Sequence, residues 1–78
     1  MNEFEKKIQK ILKKILKIKN FNKKQLFKLK IGSLKNWDSL EHLKILLECE
    51  KEFKIKFSTE AFTRIKTVKE IRDYIYND

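Results

Sequence analysis

Phe4, Ile8, Ile11, Leu12, Ile15, Leu16 and Ile18 recur at helical spacing. At about 100° per residue they fall within an arc of about 160°, and Lys6, Lys7, Lys10, Lys13, Lys14 and Lys17 fill the opposite side. A helix with one apolar face must bury it against something. No segment shows the alternation of a strand, since IKF at 55–57 is short and sits between helical stretches, so the partners have to be other helices. With 78 residues the chain predicts a single domain, 1–78, whose core is small.

The second helix is announced by its start. Asp38 is a good N-cap, and Glu41 three positions on completes an Asp-x-x-Glu capping box, which places Ser39 in the first turn. Leu40, Leu43, Ile45, Leu46, Leu47, Cys49 and Phe53 then cover more than half of the wheel, predicting a central helix with more than one neighbour. Glu41, Glu48 and Glu52 form one stripe expected to be exposed, with Lys44 and Lys51 beside it and i,i+4 pairing such as Lys44 with Glu48. Ser58 can cap a short third helix carrying Ala61, Phe62 and Ile65. Thr67 and Glu70 make a further capping box, opening a last helix that turns Val68, Ile71 and Ile75 inward with Tyr74 near that face.

Between the first two helices, residues 19–37 lack sustained periodicity, yet Phe21, Leu26, Phe27, Leu29, Ile31 and Leu34 are too apolar for a floppy linker. A structured loop is expected, with a short turn starting at Asn22 and a bend at Gly32, the only glycine. The fold class is therefore all-α: a four-helix bundle with a long structured loop between helices 1 and 2 and a short third helix.

The formal charge of +9 raises the question of polyanion binding. Its distribution is uneven. Residues 1–36 carry 12 Lys against Glu3 and Glu5, whereas residues 37–53 carry Lys44 and Lys51 against five acids, so the Ser39 helix is acidic inside a basic protein. Of the 20 basic residues only Arg64 and Arg72 are arginine, the residue that reads bases and forks onto phosphates, which argues against a dedicated nucleic-acid role. A lone Cys49 and a lone His42 exclude an intrachain disulfide and a Cys/His zinc cluster, and a reducing cytoplasm is the expected location. Cys49 reads as a small buried hydrophobe and His42 as a polar surface residue. Apolar runs reach about three residues where a membrane span needs roughly 20, and no signal segment opens the chain.

Ser39 is the residue left to explain, because Asp38 can cap the helix without it. A hydroxyl at a helix entrance sits beside the positive end of the dipole, a place that favours an attached or bound phosphate. Ser39 and His42 could also be read as nucleophile and base at i,i+3, but no orienting acid or oxyanion motif accompanies them. On WDSL at 37–40, LLECEKEFKIKFS at 46–58 and IKTVKEIRDYI at 65–75, the chain resembles an acyl or peptidyl carrier protein over nearly its whole length.

The resemblance implies a stand-alone, monomeric acyl or aminoacyl carrier rather than an enzyme. Ser39 would be modified with 4′-phosphopantetheine, whose thiol holds cargo as a thioester, with Asp38 and Leu40 flanking the attachment point. The implied partners are a phosphopantetheinyl transferase, a loading ligase and downstream acyl-transferring enzymes, which in this family commonly offer a basic patch to the second helix; Glu41, Glu48 and Glu52 are the residues such partners would read. Lys44 and Lys51 depart from that pattern, standing where family members often have acids. Trp37 in place of the Gly-x-Asp-Ser-Leu form looks more like carriers of specialised pathways than of housekeeping fatty-acid synthesis. The alternative is a basic helical module that binds nucleic acid or an anionic membrane surface through the lysine face of the first helix.

Overall fold

A computed structural model describes residues 2–76, in the order α1 (Glu3–Leu16), α2 (Lys23–Leu26), α3 (Ser39–Phe53), α4 (Thr59–Arg64) and α5 (Val68–Tyr76). Four of these are the expected helices, α4 being the short third one. The other, α2, is a single turn inside the long loop, begun where Asn22 was expected to start it. There Asn22 Oδ1 accepts from Gln25 N at 2.8 Å and Gln25 Oε1 accepts from Asn22 N at 3.1 Å, a reciprocal cap that lets four residues hold a helical turn.

The α1 helix obeys its dipole at both ends. Glu3 and Glu5 lie in its first turn, Lys13 and Lys14 in its last, and Asn2 caps it through Glu5 N at 2.9 Å. It stops at Lys17, whose φ of 56° puts the backbone in the left-handed region. Phe4, Ile8, Ile11, Leu12 and Leu16 are buried, and α1 packs chiefly along α3. At one end Phe4 gathers the rings of Phe27, Phe53 and Tyr76 at centroid distances of 6.1, 5.6 and 5.9 Å.

The loop is tied down by both side chains and backbone. Gln9, buried on α1, exchanges two hydrogen bonds with the Phe21 backbone, and Asn36 Nδ2 donates to Leu16 O at 2.8 Å. Leu26 and Leu29 enter the core. Further on, Lys30 and Thr67 form an isolated antiparallel bridge, with Ile31 N donating to Lys66 O and Val68 N to Leu29 O, so the loop also anchors the start of α5. Gly32 makes the bend at φ 88°, and its N–H reaches back to Trp37 O at 2.9 Å.

The α3 helix corrects the wheel. Ile45, Leu46 and Cys49 are buried, but Leu40, Leu43 and Leu47 are 61%, 44% and 46% exposed, because no element among the described residues covers that side of the helix. Cys49 is inert packing, and burial pushes its thiol up to about 12. Iodoacetamide at neutral pH should therefore leave the native protein unlabelled and label it once urea is added; native labelling as fast as that of a free thiol would contradict this burial.

Caps also fix the C-terminal helices. Ser58 Oγ accepts from Ala61 N at 3.1 Å to start α4, while Thr67 Oγ1 accepts from Glu70 N and Glu70 Oε1 accepts from Thr67 N to start α5. Ala61, Ile65, Val68 and Ile71 are buried; Phe62, Tyr74 and Ile75 are half-buried around them.

Candidate functional site

Ser39 is the first residue of α3 and is exposed. Its position follows from Asp38, whose extended backbone ends the loop and whose Oδ1 accepts from Glu41 N at 2.9 Å. Only that half of the expected capping box forms. The Glu41 carboxylate turns instead to Lys44 Nζ at 3.2 Å, so Lys44 pairs one turn back rather than with Glu48.

With Asp38 as cap, the Ser39 hydroxyl has no structural work: it makes no hydrogen bond among the described residues. The other two serines differ. Ser33 Oγ accepts from Lys30 N, and Ser58 Oγ caps α4. Ser39 thus combines exposure, an unengaged hydroxyl and the positive end of a 15-residue helix.

Beside it lies a recess of about 350 Å³ between α3 and α4, lined by Ile31, His42, Leu43, Leu46, Phe62, Thr63 and Lys66 as well as Ser39. Leu40, the other predicted flank of the attachment point, points outward into solvent.

His42 is a correction to its surface assignment. It is 4% exposed, and each ring nitrogen is engaged. Trp37 Nε1–H donates to Nδ1 at 3.0 Å, and because an indole nitrogen can only donate, Nδ1 must be the unprotonated one. Nε2–H then donates to Ile65 O at 2.8 Å, joining α3 to the end of α4. A histidine so held has no free nitrogen to act as base on Ser39. Trp37 itself is 1% exposed and stacks near the imidazole at 5.9 Å, an anchor that no periodic pattern marked.

Protonating Nδ1 would set two donors against each other, and burial, the largest cause, already holds the imidazole below its ordinary value; Ile65 O and Glu70 oppose that shift and Lys66 reinforces it. The unfolded chain, with an ordinary histidine near 6.5, then binds more protons than the folded one. The His42 contribution is complete above that value and is lost as pH falls through the lower folded value. Glu70, held below the usual carboxylate range by the Lys66 N–H first and by Thr67, acts in a more acidic window. The melting temperature should drop between about pH 7.5 and pH 5.5, and His42→Gln should flatten that slope while lowering the plateau. An equal slope in the variant would assign the effect elsewhere.

The acidic stripe is also placed differently from the expectation of free exposure. Glu41, Glu48 and Glu52 are only partly exposed, and Lys14 Nζ lies 3.2 Å from Glu48 Oε1 and Lys10 Nζ 3.8 Å from Glu52 Oε1. Lys7 Nζ adds a bond to Glu52 O at 3.3 Å. Lys7, Lys10 and Lys14 of α1 thus meet Glu48 and Glu52 of α3 along the seam between the helices. No helix among the described residues is long and apolar enough to cross a membrane.

Among curated proteins, the chain is similar to the acyl carrier protein of Buchnera aphidicola subsp. Schizaphis graminum, with 39% identity over 77 residues that cover 99% of this chain and 95% of the relative. No protein-family model and no solved structure matches the chain.

Proposed function

The chain belongs to the acyl carrier protein family, whose members carry acyl groups rather than transform them, and from this we propose that Ser39 is the attachment site of a 4′-phosphopantetheine arm. The observation that carries the reading is the division of labour at the entrance of α3: Asp38 caps the helix, and Ser39 presents an exposed, unengaged hydroxyl. Serine suits the role because its hydroxyl forms a phosphodiester, and the dipole of α3 steadies that negative charge. When attached, the arm supplies a terminal thiol that holds an acyl or aminoacyl cargo as a thioester. Neither His42 nor Cys49 is free to act as a catalytic group: His42 is locked between Trp37 and Ile65, and the Cys49 thiol is buried and protonated.

The protein works as a soluble monomer in the cytoplasm, receiving its arm from a phosphopantetheinyl transferase and its cargo from a loading ligase, then meeting acyl-transferring enzymes. Trp37 before Asp38, with Lys44 and Lys51 on α3, favours a specialised pathway over housekeeping fatty-acid synthesis. Half of the lysine face of α1, namely Lys7, Lys10 and Lys14, is paired with Glu3, Glu52 and Glu48, which weighs against a dedicated nucleic-acid or membrane role.

The test is incubation with coenzyme A and a promiscuous phosphopantetheinyl transferase, read by intact-mass spectrometry. One phosphopantetheine per chain is expected. An unchanged mass across several transferases would overturn the reading.

A further inference from the structure

The charge of α1 divides at Lys10. On one side Lys7 and Lys14 turn toward α3, onto Glu52 O and the Glu48 carboxylate. On the other, Lys6, Lys10 and Lys13, at i, i+4 and i+7, line a recess of about 410 Å³ together with Gln9 and with Asn20 and Phe21 of the following loop. All three lysines are exposed, and no carboxylate lines the recess. Among the described residues neither Lys6 nor Lys13 has an ion-pair partner, and Lys10, with a side chain 76% exposed, stands 3.8 Å from Glu52 Oε1.

The walls of this recess are held in place. Buried Gln9 exchanges two hydrogen bonds with the Phe21 backbone, which fixes the loop against α1 and sets the half-buried Phe21 ring among the three ammonium groups. A preformed recess of this kind loses little freedom when it is filled. Its chemistry selects among polyanions. A helix that lies on a membrane needs its apolar face for the lipid, whereas Phe4, Ile8, Ile11, Leu12 and Leu16 of α1 are spent in the core. A nucleic acid asks for cations spread along a phosphate backbone and for the fork of arginine, and the two arginines lie elsewhere, on α4 and α5. One concave spot with three ammonium groups and an aromatic ring instead matches a short run of carboxylates around an apolar side chain.

We propose that the recess between α1 and the loop at Asn20–Phe21 is a docking site for a partner protein that inserts an acidic segment bearing one aromatic side chain. The carboxylates of that segment meet Lys6, Lys10 and Lys13, and its ring packs on Phe21. No residue of α3 lines the recess, so this contact is separate from the Ser39 entrance. The ring contact supplies affinity, while the lysines orient the partner and exclude basic surfaces.

The probe is a fluorescein-labelled peptide with one phenylalanine between two pairs of aspartates, titrated with the full chain at low salt and read by anisotropy. One peptide per chain is expected to bind. Lys6→Gln/Lys13→Gln should weaken binding about tenfold or more, and Lys28→Gln/Lys69→Gln, an equal charge change at exposed positions outside the recess, less than about threefold. Replacing the phenylalanine of the peptide by serine should weaken binding about fivefold. Circular dichroism checks that both variants are folded, and both substitutions are of exposed side chains. No binding, equal losses in the two variants, or no effect of removing the phenylalanine overturns the proposal. So does displacement of the peptide by duplex DNA or by phosphatidylglycerol vesicles at a lower charge concentration than the unlabelled peptide needs, which would assign the recess to a nucleic acid or to a membrane. The unmodified chain is used throughout, so every one of these outcomes leaves the Ser39 reading standing.

Discussion

Trp37→Ala is expected to leave the protein largely unfolded at room temperature. Trp37 is among the largest fully buried side chains, and truncating a buried tryptophan costs about 3–5 kcal/mol in lost transfer energy and unfilled volume. A single core in a domain this small rarely supplies more than about 3–5 kcal/mol in total. The loss is also more than volume. Without the indole N–H, His42 Nδ1 is left without its donor in a buried site, and the contact between the loop and α3 that holds Asp38 and Ser39 in register is removed. Trp37→Phe separates the two effects: it keeps a ring and loses the donor, and should remain folded at a cost of about 1–3 kcal/mol. Urea titration followed by circular dichroism measures both. A fully cooperative Trp37→Ala transition at the wild-type midpoint would show that the indole is not the anchor described here.

That anchor was hidden in the sequence, and the reason is physical. Trp37 precedes the periodic stretch, so no wheel includes it, and His42 carries no sign of burial until a donor and an acceptor are found for its two nitrogens. The helices were legible because their signals are local. Asp38, Ser58 and the Thr67–Glu70 pair each act within four residues, and the stripe from Phe4 to Leu16 repeats often enough to fix its own face. Relations across the fold leave weaker marks. Leu40, Leu43 and Leu47 have the same apolar character as Ile45 and Leu46, and only the arrangement of α1, α4 and the loop decides which of them is covered. In the same way, Glu48 was assigned a neighbour on its own helix, yet Lys14 lies closer across the seam. The bridge between Lys30 and Thr67 joins segments 37 positions apart and follows from no periodicity in either. Ser39 was legible for the opposite reason, since its place in the first turn behind an aspartate cap is written in four consecutive residues.

Ser39→Ala is expected to abolish arm attachment while leaving the fold intact. The hydroxyl makes no hydrogen bond among the described residues, Asp38 continues to cap α3, and an exposed substitution of this kind changes stability by about 0.5 kcal/mol or less. Attachment should fall to background, because Ser33 and Ser58 have hydroxyls engaged by Lys30 N and Ala61 N. The most direct measurement is peptide mapping of the protein after incubation with coenzyme A and a promiscuous phosphopantetheinyl transferase. Trypsin cuts after Lys35 and Lys44, releasing NWDSLEHLK, in which Ser39 is the only hydroxyl-bearing residue. The account predicts one phosphopantetheine adduct per chain, confined to that peptide and absent from Ser39→Ala; an adduct on a peptide containing Ser33 or Ser58, or a Ser39→Ala protein that is still modified, would contradict it.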